Sequence, residues 1–449
     1  GESCAWDLLA SAAIALVVGL AMTRLSKPTS QTFFAREGFV IVALAWVFLS
    51  LIGMLPYLFS GEIPFWVDAF FETVSGFTTT GASILTNVEA MSHGLLFWRS
   101  FTHWIGGMGV LVLIMAIVPT ETGRSIHIMR AEMPGPIVGK LMPRIKDTAQ
   151  ILYLMYVVLT VVQIVLLMAG GMPPFESVTH AMATAGTGGF SVKADCFASY
   201  SPYLQWITAI FMTLFGVNFN VYYLALRKKF KEILRSTELW TYLGIILVAI
   251  VLVSISISTE YDTLEEIVRQ SAFQVTSIIT TTGYSSANFD LWPEFAKNVL
   301  LILMFLGACA GSTAGGLKIS RAILLVKMAR RELKRMIHPR SVGTVQFEGK
   351  RVSDATLNSV CMYFVLYCII LVALTLFLCI NPFSIETNLA AAASCFNNSG
   401  PGFGIVGPAS NYSYYNAISK FVLAISMLFG RLEIYPMLLA LSPSTWTKE

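Results

Sequence analysis

Long apolar stretches recur along the whole chain and alternate with short segments that carry most of the charged residues. A run of about 20 apolar residues is long enough to cross the hydrocarbon core of a membrane as a helix. The pattern predicts nine spans, near residues 5–24, 38–59, 95–118, 149–170, 203–226, 239–258, 297–317, 355–380 and 417–441. A cleavable leader would account for only one of them, so we expect an all-α polytopic membrane protein.

The composition agrees with lipid as the solvent of this chain. Of its 449 residues, 55% are hydrophobic and only 12% are charged, and the mean hydropathy is +0.69. Soluble domains carry about 25% charged residues. The chain opens at Gly1 without an initiator Met, and we expect that residues upstream of it have been removed.

The basic residues predict the orientation. They concentrate in segments 24–36, 120–148, 227–235 and 318–351, whereas the segments between the alternate pairs of spans are acidic. Cytoplasmic loops carry an excess of Lys and Arg. All four basic segments fall on one side if the spans strictly alternate, so we predict that this side is cytoplasmic.

A fourfold repeat follows the first span. Each unit has an apolar helix, a short half-hydrophobic segment, a stretch of small residues with Gly, and a second apolar helix. The short segments cannot cross a core of about 30 Å, so they are predicted to be re-entrant helices. Each begins with an acidic residue, which suits the positive end of the helix dipole: Asp68, Glu176, Glu265 and Glu386.

The stretches after the short helices are the candidate site. Each places small polar residues before a Gly, and aligning them on that Gly, with Phe190 opposite Tyr284, puts the four units in register. Non-helical backbone at membrane depth must be buried in protein or line an aqueous path, and carbonyls there can replace the hydration shell of an ion. The predicted filter residues are Thr79, Thr80, Gly81, Thr187, Gly188, Gly189, Thr281, Thr282, Gly283, Asn398, Ser399 and Gly400.

One such stretch alone would be read as an external loop with an ordinary turn glycine. Four in the same place in each unit favour a pore for a monovalent cation instead.

The second helix of the third unit contains a run of small residues in its middle. Four glycines lie within 307–316, and an amphipathic pattern resumes to about residue 337. Tight helix packing is one explanation. An unwound loop beneath the filter that acts as a gate is the other, and the candidate gate residues are Gly307, Gly311, Ser312, Thr313, Gly315, Gly316, Lys318 and Arg431.

Arg431 and Glu433 are charged residues inside the last apolar stretch. Charges within a membrane usually face a cavity and are functional. The two side chains could pair with each other, but we favour Arg431 projecting toward the pore as a barrier to cations.

Several motifs resemble one transporter family. They include Phe70-Phe71-Glu72, the stretch Thr78 to Ala82, Trp104-Ile105-Gly106-Gly107-Met108-Gly109, Arg130 to Pro136, Ala310 to Lys318, His338-Pro339-Arg340 and Phe429 to Ile434. At these positions the chain resembles the Trk/Ktr/HKT superfamily of potassium transporters, and most closely its TrkH/TrkG branch.

The resemblance implies four M1–P–M2 pore-loop repeats around a pseudo-fourfold axis, preceded by an N-terminal helix. It also implies a homodimer in the bacterial inner (plasma) membrane, K⁺ as the transported ion, and a TrkA-type cytosolic nucleotide-binding regulatory subunit. Gly81 stands where a Ser accompanies sodium transport in HKT relatives, which favours potassium. The branch usually has two helices before the repeats and this chain has one, which implies a truncated start.

The predicted division is 1–35 for the N-terminal helix and cytoplasmic loop, then repeats over 36–120, 121–235, 236–340 and 341–449.

A proton- or sodium-coupled secondary transporter is the alternative function, although such proteins favour inverted repeats. The basic run 318–351 is either a membrane-surface segment or a docking site for the regulatory subunit. Dispersed Cys and His residues predict no metal centre, and we expect no enzyme activity, organic cofactor or nucleic-acid partner.

Overall fold

The computed structural model describes residues 4–25, 35–109, 145–340 and 343–446. These residues are mostly helical, with one two-stranded hairpin. The helices, numbered here in chain order, are α1 (Cys4–Leu25), α2 (Ala35–Gly53), α3 (Leu55–Ser60), α4 (Trp66–Phe77), α5 (His93–Gly107), α6 (Ile145–Ala169), α7 (Pro174–Gly186), α8 (Pro202–Phe215), α9 (Phe219–Leu226), α10 (Phe230–Leu234), α11 (Thr237–Ser256), α12 (Leu264–Ile279), α13 (Glu294–Phe305), α14 (Ile319–Ile337), α15 (Asp354–Leu378), α16 (Ile385–Asn397), α17 (Ala417–Arg431) and α18 (Tyr435–Leu441). Strands β1 (Gln346–Phe347) and β2 (Lys350–Arg351) pair antiparallel.

Five of the predicted spans are confirmed as helices long and apolar enough to cross a membrane. They are Cys4–Leu25, Arg36–Ser60, Ala149–Ala169, Thr237–Ser256 and Asp354–Leu378. Large apolar side chains on these helices point outward, for example Leu247 and Leu376, which are 65% and 68% exposed. Such surfaces are stable against lipid, since lipid tails are as apolar as the side chains.

The predicted span over 203–226 is bent and not one continuous helix. Helices Pro202–Phe215 and Phe219–Leu226 meet at an angle of 89°. Asn218 starts the second helix, and its side chain accepts a hydrogen bond from the backbone N–H of Asn220. A capping Asn stabilises a new helix start better than a helix interior.

Two further spans are interrupted. The predicted break in the second helix of the third unit lies between Phe305 and Ile319, where α13 ends and α14 begins. The last span divides into Ala417–Arg431 and Tyr435–Leu441, with Glu433 and Ile434 at positive φ between them. The predicted span 95–118 is described as far as residue 109 and is helical over His93–Gly107; its remainder lies outside the described residues.

Four short helices lie inside the protein. They contain 12, 13, 16 and 13 residues, respectively, in α4, α7, α12 and α16, or about 18–24 Å of helix. As predicted, each has an acidic residue in its first turn. Most of their side chains are buried, and their last residues lead into the four Gly-bearing stretches.

Candidate functional site

The four Gly-bearing stretches have the same backbone conformation. The aligned glycines 81, 189, 283 and 400 have φ values of 79°, 77°, 83° and 85°. The residue two positions earlier is left-handed in every case, with φ between 54° and 57°, although it is never Gly: Thr79, Thr187, Thr281 and Asn398. Non-Gly residues rarely adopt this region, so its occurrence at one aligned position in all four stretches is a shared constraint.

The hydrogen bonds of the stretches are also in register. The backbone N–H one residue before each aligned Gly donates to the carbonyl five residues back. The four bonds are Thr80 to Ser75 at 2.9 Å, Gly188 to Ala183 at 2.9 Å, Thr282 to Ser277 at 2.8 Å and Ser399 to Ser394 at 2.9 Å. Each short helix therefore ends in the same hydrogen bond, and the backbone that follows it has the same local conformation.

The four stretches meet in a closed cycle. A Cβ placed on Gly81 would lie 2.0 Å from the carbonyl oxygen of Gly188, and one on Gly189 would lie 2.0 Å from that of Thr282. In turn, a Cβ on Gly283 would lie 2.5 Å from the oxygen of Ser399. A Cβ on Gly400 would lie 2.7 Å from the oxygen of Thr80, which closes the cycle. Each glycine is thus in backbone contact with the next stretch, and no side chain fits there.

Three of the four carbonyl oxygens in this cycle have no donor among the described residues. Among the described residues, no N–H or O–H is hydrogen-bonded to the carbonyl oxygens of Thr80, Thr282 or Ser399, and all three residues are fully buried. Buried carbonyls are normally paired. A ring of unpaired carbonyl oxygens is the arrangement that binds a dehydrated monovalent cation.

Hydroxyl and amide groups support the cycle from behind. Thr78 and Thr80 are hydrogen-bonded through their hydroxyls at 2.8 Å, and Thr280 and Thr282 in the same way at 2.7 Å. The Nδ2 of Asn398 donates to the Thr80 hydroxyl at 2.9 Å, which ties the fourth stretch to the first. These contacts hold the stretches in position without occupying the carbonyls of the cycle.

An ion pair that the sequence analysis did not predict braces the first two stretches. Arg99 lies 2.8 Å from Glu72, and both side chains are buried. Arg99 also donates to the carbonyl of Ser191 at 3.2 Å, and Glu72 accepts the Ser83 hydroxyl at 2.9 Å. The available signal was a charged residue, Glu72 or Arg99, in the interior of each of two mostly apolar helices.

His103 is a second unpredicted contact between the same stretches. Its Nδ1 donates to the carbonyl of Gly76 at 2.6 Å, and its Nε2 accepts the backbone N–H of Phe190 at 3.3 Å. The two bonds require a neutral imidazole with its proton on Nδ1.

The broken stretch of the third unit lies below the cycle. The N–H of Gly315 donates to the hydroxyl of Thr281 at 2.7 Å, so the loop touches a predicted filter residue. A Cβ on Gly315 would lie 2.6 Å from the carbonyl oxygen of Asn397. Gly307 donates to the carbonyl of Leu317 at 2.7 Å, which brings the two ends of the loop together.

The bend at 216–218 receives this loop. Cys309 donates to the carbonyl of Gly216, and Phe219 donates to the carbonyl of Gly311, both at 3.1 Å. The hydroxyl of Thr313 donates to the carbonyl of Phe215 at 3.3 Å. Backbone groups freed by one broken helix are therefore satisfied by another, as non-helical backbone in a membrane requires.

Arg431 lies between the loop and the filter stretches. Its guanidinium donates to the carbonyl of Thr313 at 2.6 Å, to those of Gly106 and Gly107 at 2.6 and 2.5 Å, and to the Thr79 hydroxyl at 3.2 Å. Glu433, the alternative partner considered for it, pairs with Arg321 instead. A cavity of about 40 Å³ beside Arg431 is lined by Ser312, Gly316 and Lys318 among others.

Lys318 is buried, and its ammonium donates to the carbonyl of Ala314. The predicted gate residues 307–318 and Arg431 thus form one connected group below the cycle. On its other side a cavity of about 100 Å³ reaches the aligned glycines and is lined by Arg99, Ser191 and Tyr412 among others. The site defines a class of protein, namely a helical membrane protein in which a cycle of buried backbone carbonyls lies between two cavities.

Comparisons with known proteins agree with this class. Residues 8–448 match the TrkH family, described as a cation transport protein. The Trk system potassium uptake protein TrkH of Salmonella typhimurium is 36% identical over 440 residues, which cover 96% of this chain and 90% of that protein. TrkG of Escherichia coli K12 is 34% identical over 417 residues, covering 92% and 86%, respectively.

A solved structure has the same fold. The crystal structure of the potassium transporter TrkH from Vibrio parahaemolyticus superposes with a TM-score of 0.89 at 31% identity, covering all of this chain and 93% of that one. The chain belongs to the TrkH family of cation transport proteins. The predictions of this family, of an all-helical polytopic membrane protein and of a transport protein are confirmed.

Proposed function

We propose that this protein takes up K⁺ across the bacterial inner membrane through a filter made by the four stretches. Two findings support K⁺ as the cargo: relatives at 34–36% identity are named potassium uptake proteins, and buried carbonyl oxygens without donors surround the cycle of glycines. K⁺ is the substrate here, and the chain needs no organic cofactor for this role.

Four pore-loop units surround the filter in this proposal, as a pseudo-fourfold arrangement. They occupy 36–120, 121–235, 236–340 and 341–449 after an N-terminal segment 1–35. The support is the shared conformation of the four stretches and the cyclic order in which each contacts the next.

The filter residues are those two, one and zero positions before each aligned Gly. Carbonyls of Thr80, Thr282 and Ser399 are the ligands best supported by their lack of donors. Because Gly stands at all four aligned positions, no side chain displaces a carbonyl of the neighbouring stretch. All the carbonyls of the ring can then coordinate the ion, which favours K⁺ over Na⁺.

The loop 307–316 is the gate, and Arg431 is the fixed charge that closes it. Arg431 donates a hydrogen bond to Thr313 of the loop and another to Thr79 of the filter, so it connects the filter and the gating loop. A cation leaving the filter meets this charge in a medium of low dielectric, where repulsion is strong. Movement of the loop would carry Thr313 away and open the inner cavity.

The chain would assemble as a homodimer. A cytosolic nucleotide-binding subunit of the TrkA type would bind it and control the gate. The helix Ile319–Ile337 runs from the end of the loop to the basic cytoplasmic surface, so a partner there can pull on the loop directly.

The observation that carries the proposal is the buried carbonyl ring of Thr80, Thr282 and Ser399. The test is K⁺ and Na⁺ flux into liposomes that contain the purified full chain, with the pH gradient set to zero or clamped in either direction. We expect K⁺ flux that exceeds Na⁺ flux and does not require a pH or Na⁺ gradient. Flux that stops when both gradients are removed would instead favour the coupled transporter.

A further inference from the structure

A basic cavity lies on the side predicted to be cytoplasmic, away from the four Gly-bearing stretches. It has a volume of about 780 Å³ and opens between the second half of helix Ile319–Ile337 and the hairpin of Gln346–Phe347 and Lys350–Arg351. One carboxylate, that of Asp354, lines it. Seven cationic side chains line it as well: Lys327, Arg330, Arg331, Lys334, Arg335, Arg340 and Arg351.

Four of these cations have no counter-charge in the described part of the chain. Arg331 lies 2.9 Å from Asp354, and Arg335 lies 3.9 Å from Glu332. Within the described part of the chain, no carboxylate comes within 4 Å of the cations of Arg330, Lys334, Arg340 or Arg351. Four like charges around one cavity repel each other, and an anion placed among them relieves that repulsion.

The cavity lies at the level where a helix enters the membrane. Asp354 is the first residue of the span Asp354–Leu378. A small apolar cluster fixes the amphipathic helix and the hairpin onto the first two turns of that span; it consists of Leu324, Val345, Phe347, Val352, Leu357 and Val360. Because spans begin at the boundary between headgroups and acyl chains, we expect the cationic side chains around Asp354 to lie at headgroup depth.

The same amphipathic helix also exposes large apolar side chains. Leu333, Met336 and Ile337 are 61%, 79% and 72% exposed, and Val326 is 52% exposed. A helix that carries Lys and Arg beside exposed apolar residues is typical of one lying in the membrane interface. A site for a soluble anion has no need of this apolar surface, whereas a lipid places its acyl chains on it.

We infer that this cavity binds the phosphate headgroup of an anionic phospholipid from the cytoplasmic leaflet. Arg330, Arg351 and Lys334 come from the helix and the hairpin and would enclose the phosphodiester from two sides. Arg side chains offer paired donors to phosphate oxygens, and basic clusters just inside the membrane attract anionic lipids. The acyl chains then lie along Leu333 and Ile337.

The test measures lipid binding to the purified, delipidated full chain by native mass spectrometry. The chain is titrated with phosphatidylglycerol and, separately, with zwitterionic phosphatidylcholine. The site variant combines Arg330→Gln, Lys334→Gln and Arg351→Gln. The control variant removes three charges from exposed residues of another cytoplasmic segment, Lys228→Gln, Lys231→Gln and Arg235→Gln.

We expect the site variant to bind phosphatidylglycerol about tenfold or more weakly, because each cation near an anionic surface adds to the attraction. The control variant should bind it like the parent, and phosphatidylcholine binding should be equally weak in all three. Equal losses in both variants would overturn the proposal, because they would mean a diffuse surface attraction without a defined site.

A second arm separates a lipid from a soluble phosphate. Glycerol phosphate carries the same charged group without acyl chains, and we expect it to displace the lipid only at concentrations far above that of the lipid. Displacement at matched concentration would assign the cavity to a soluble phosphate ligand. Unchanged lipid binding with loss of self-association or of binding to a cytosolic partner would assign it to a protein surface, and either result overturns the proposal.

Folding is checked by size-exclusion chromatography and by the unfolding temperature in detergent. If the triple variant is not monodisperse, Lys334→Gln and Arg351→Gln are measured singly. Each should lose part of the phosphatidylglycerol affinity, and parental affinity in both would count against the cavity.

Discussion

At the scale of single residues, the aligned glycines are the least replaceable positions. Gly81 combines a φ of 79° with a carbonyl oxygen 2.0 Å from where a Cβ would be. The left-handed conformation alone costs an L-residue about 1–2 kcal/mol, and the backbone contact cannot be relieved by rotating a side chain. A substitution must therefore move the neighbouring stretch and its carbonyls.

Replacing Gly81 with Ser is predicted to weaken the discrimination between K⁺ and Na⁺. The side chain displaces Gly188, so one quarter of the ring loses its geometry, and selectivity depends on the number and field of the carbonyls. The measurement is the K⁺/Na⁺ permeability ratio in liposomes. Gly244→Ser is the matched control, because no atom lies within 4 Å of a Cβ there. An unchanged ratio in Gly81→Ser would count against the filter.

Replacing Arg431 with Ala is predicted to raise basal K⁺ flux by about tenfold, which corresponds to removing about 1.4 kcal/mol from a barrier. The variant loses both the positive charge and the hydrogen bond to the carbonyl of Thr313. Flux is measured without any partner protein, and Arg235→Ala on the exposed cytoplasmic surface serves as the control. Basal flux equal to that of the parent would show that Arg431 is not part of the gate.

Replacing Glu72 with Gln is predicted to destabilise the protein by about 3–5 kcal/mol, because it leaves the buried charge of Arg99 unpaired. The unfolding temperature in detergent is the readout. Glu265→Gln provides the comparison, since its carboxylate is half exposed beside Arg269 and an exposed pair contributes only about 0–1 kcal/mol. Similar shifts in the two variants would mean that the Glu72 pair is not a structural brace.

At the scale of helices, apolar length predicted the spans, whereas only some of the interruptions within spans could be predicted. The spans near 5–24, 149–170 and 355–380 were predictable, because lipid demands long apolar helices. The bend at 216–218 was not, because its cause is tertiary: Gly216 and Phe219 bond to a loop about 90 residues later in the chain. Apolar periodicity does not predict a backbone hydrogen bond of that kind, and Gly216 and Asn218 inside an apolar run were the local signals.

The break in the third unit was predictable because glycines have poor helix propensity. Deleting Gly311, Ser312 and Thr313 is predicted to raise basal K⁺ flux, since it removes Thr313, which contacts both Phe215 and Arg431. Deleting the exposed residues 258–260 controls for chain shortening. If the loop deletion folds and conducts like the parent, the obstruction must lie elsewhere.

At the scale of the whole molecule, the repeat and the alignment of its four units could be predicted from the sequence. The contacts that hold the units together could not. The aligned glycines could be found because each follows small polar residues at one place in its unit. The contacts between units could not, since Arg99 with Ser191 and Asn398 with Thr80 join residues far apart in the chain. The pairing of Arg321 with Glu433 was equally hidden, and the sequence pointed to Arg431 instead.

The central claim is that cations bind inside the ring of Gly81, Gly189, Gly283 and Gly400. Crystals of the protein grown in Rb⁺, which substitutes for K⁺ and scatters X-rays anomalously, test it most directly. The account predicts the strongest anomalous peaks within the ring, in contact with the carbonyl oxygens of Thr80, Thr282 and Ser399, and their loss when Na⁺ replaces Rb⁺. Strong Rb⁺ peaks only outside the ring would contradict it.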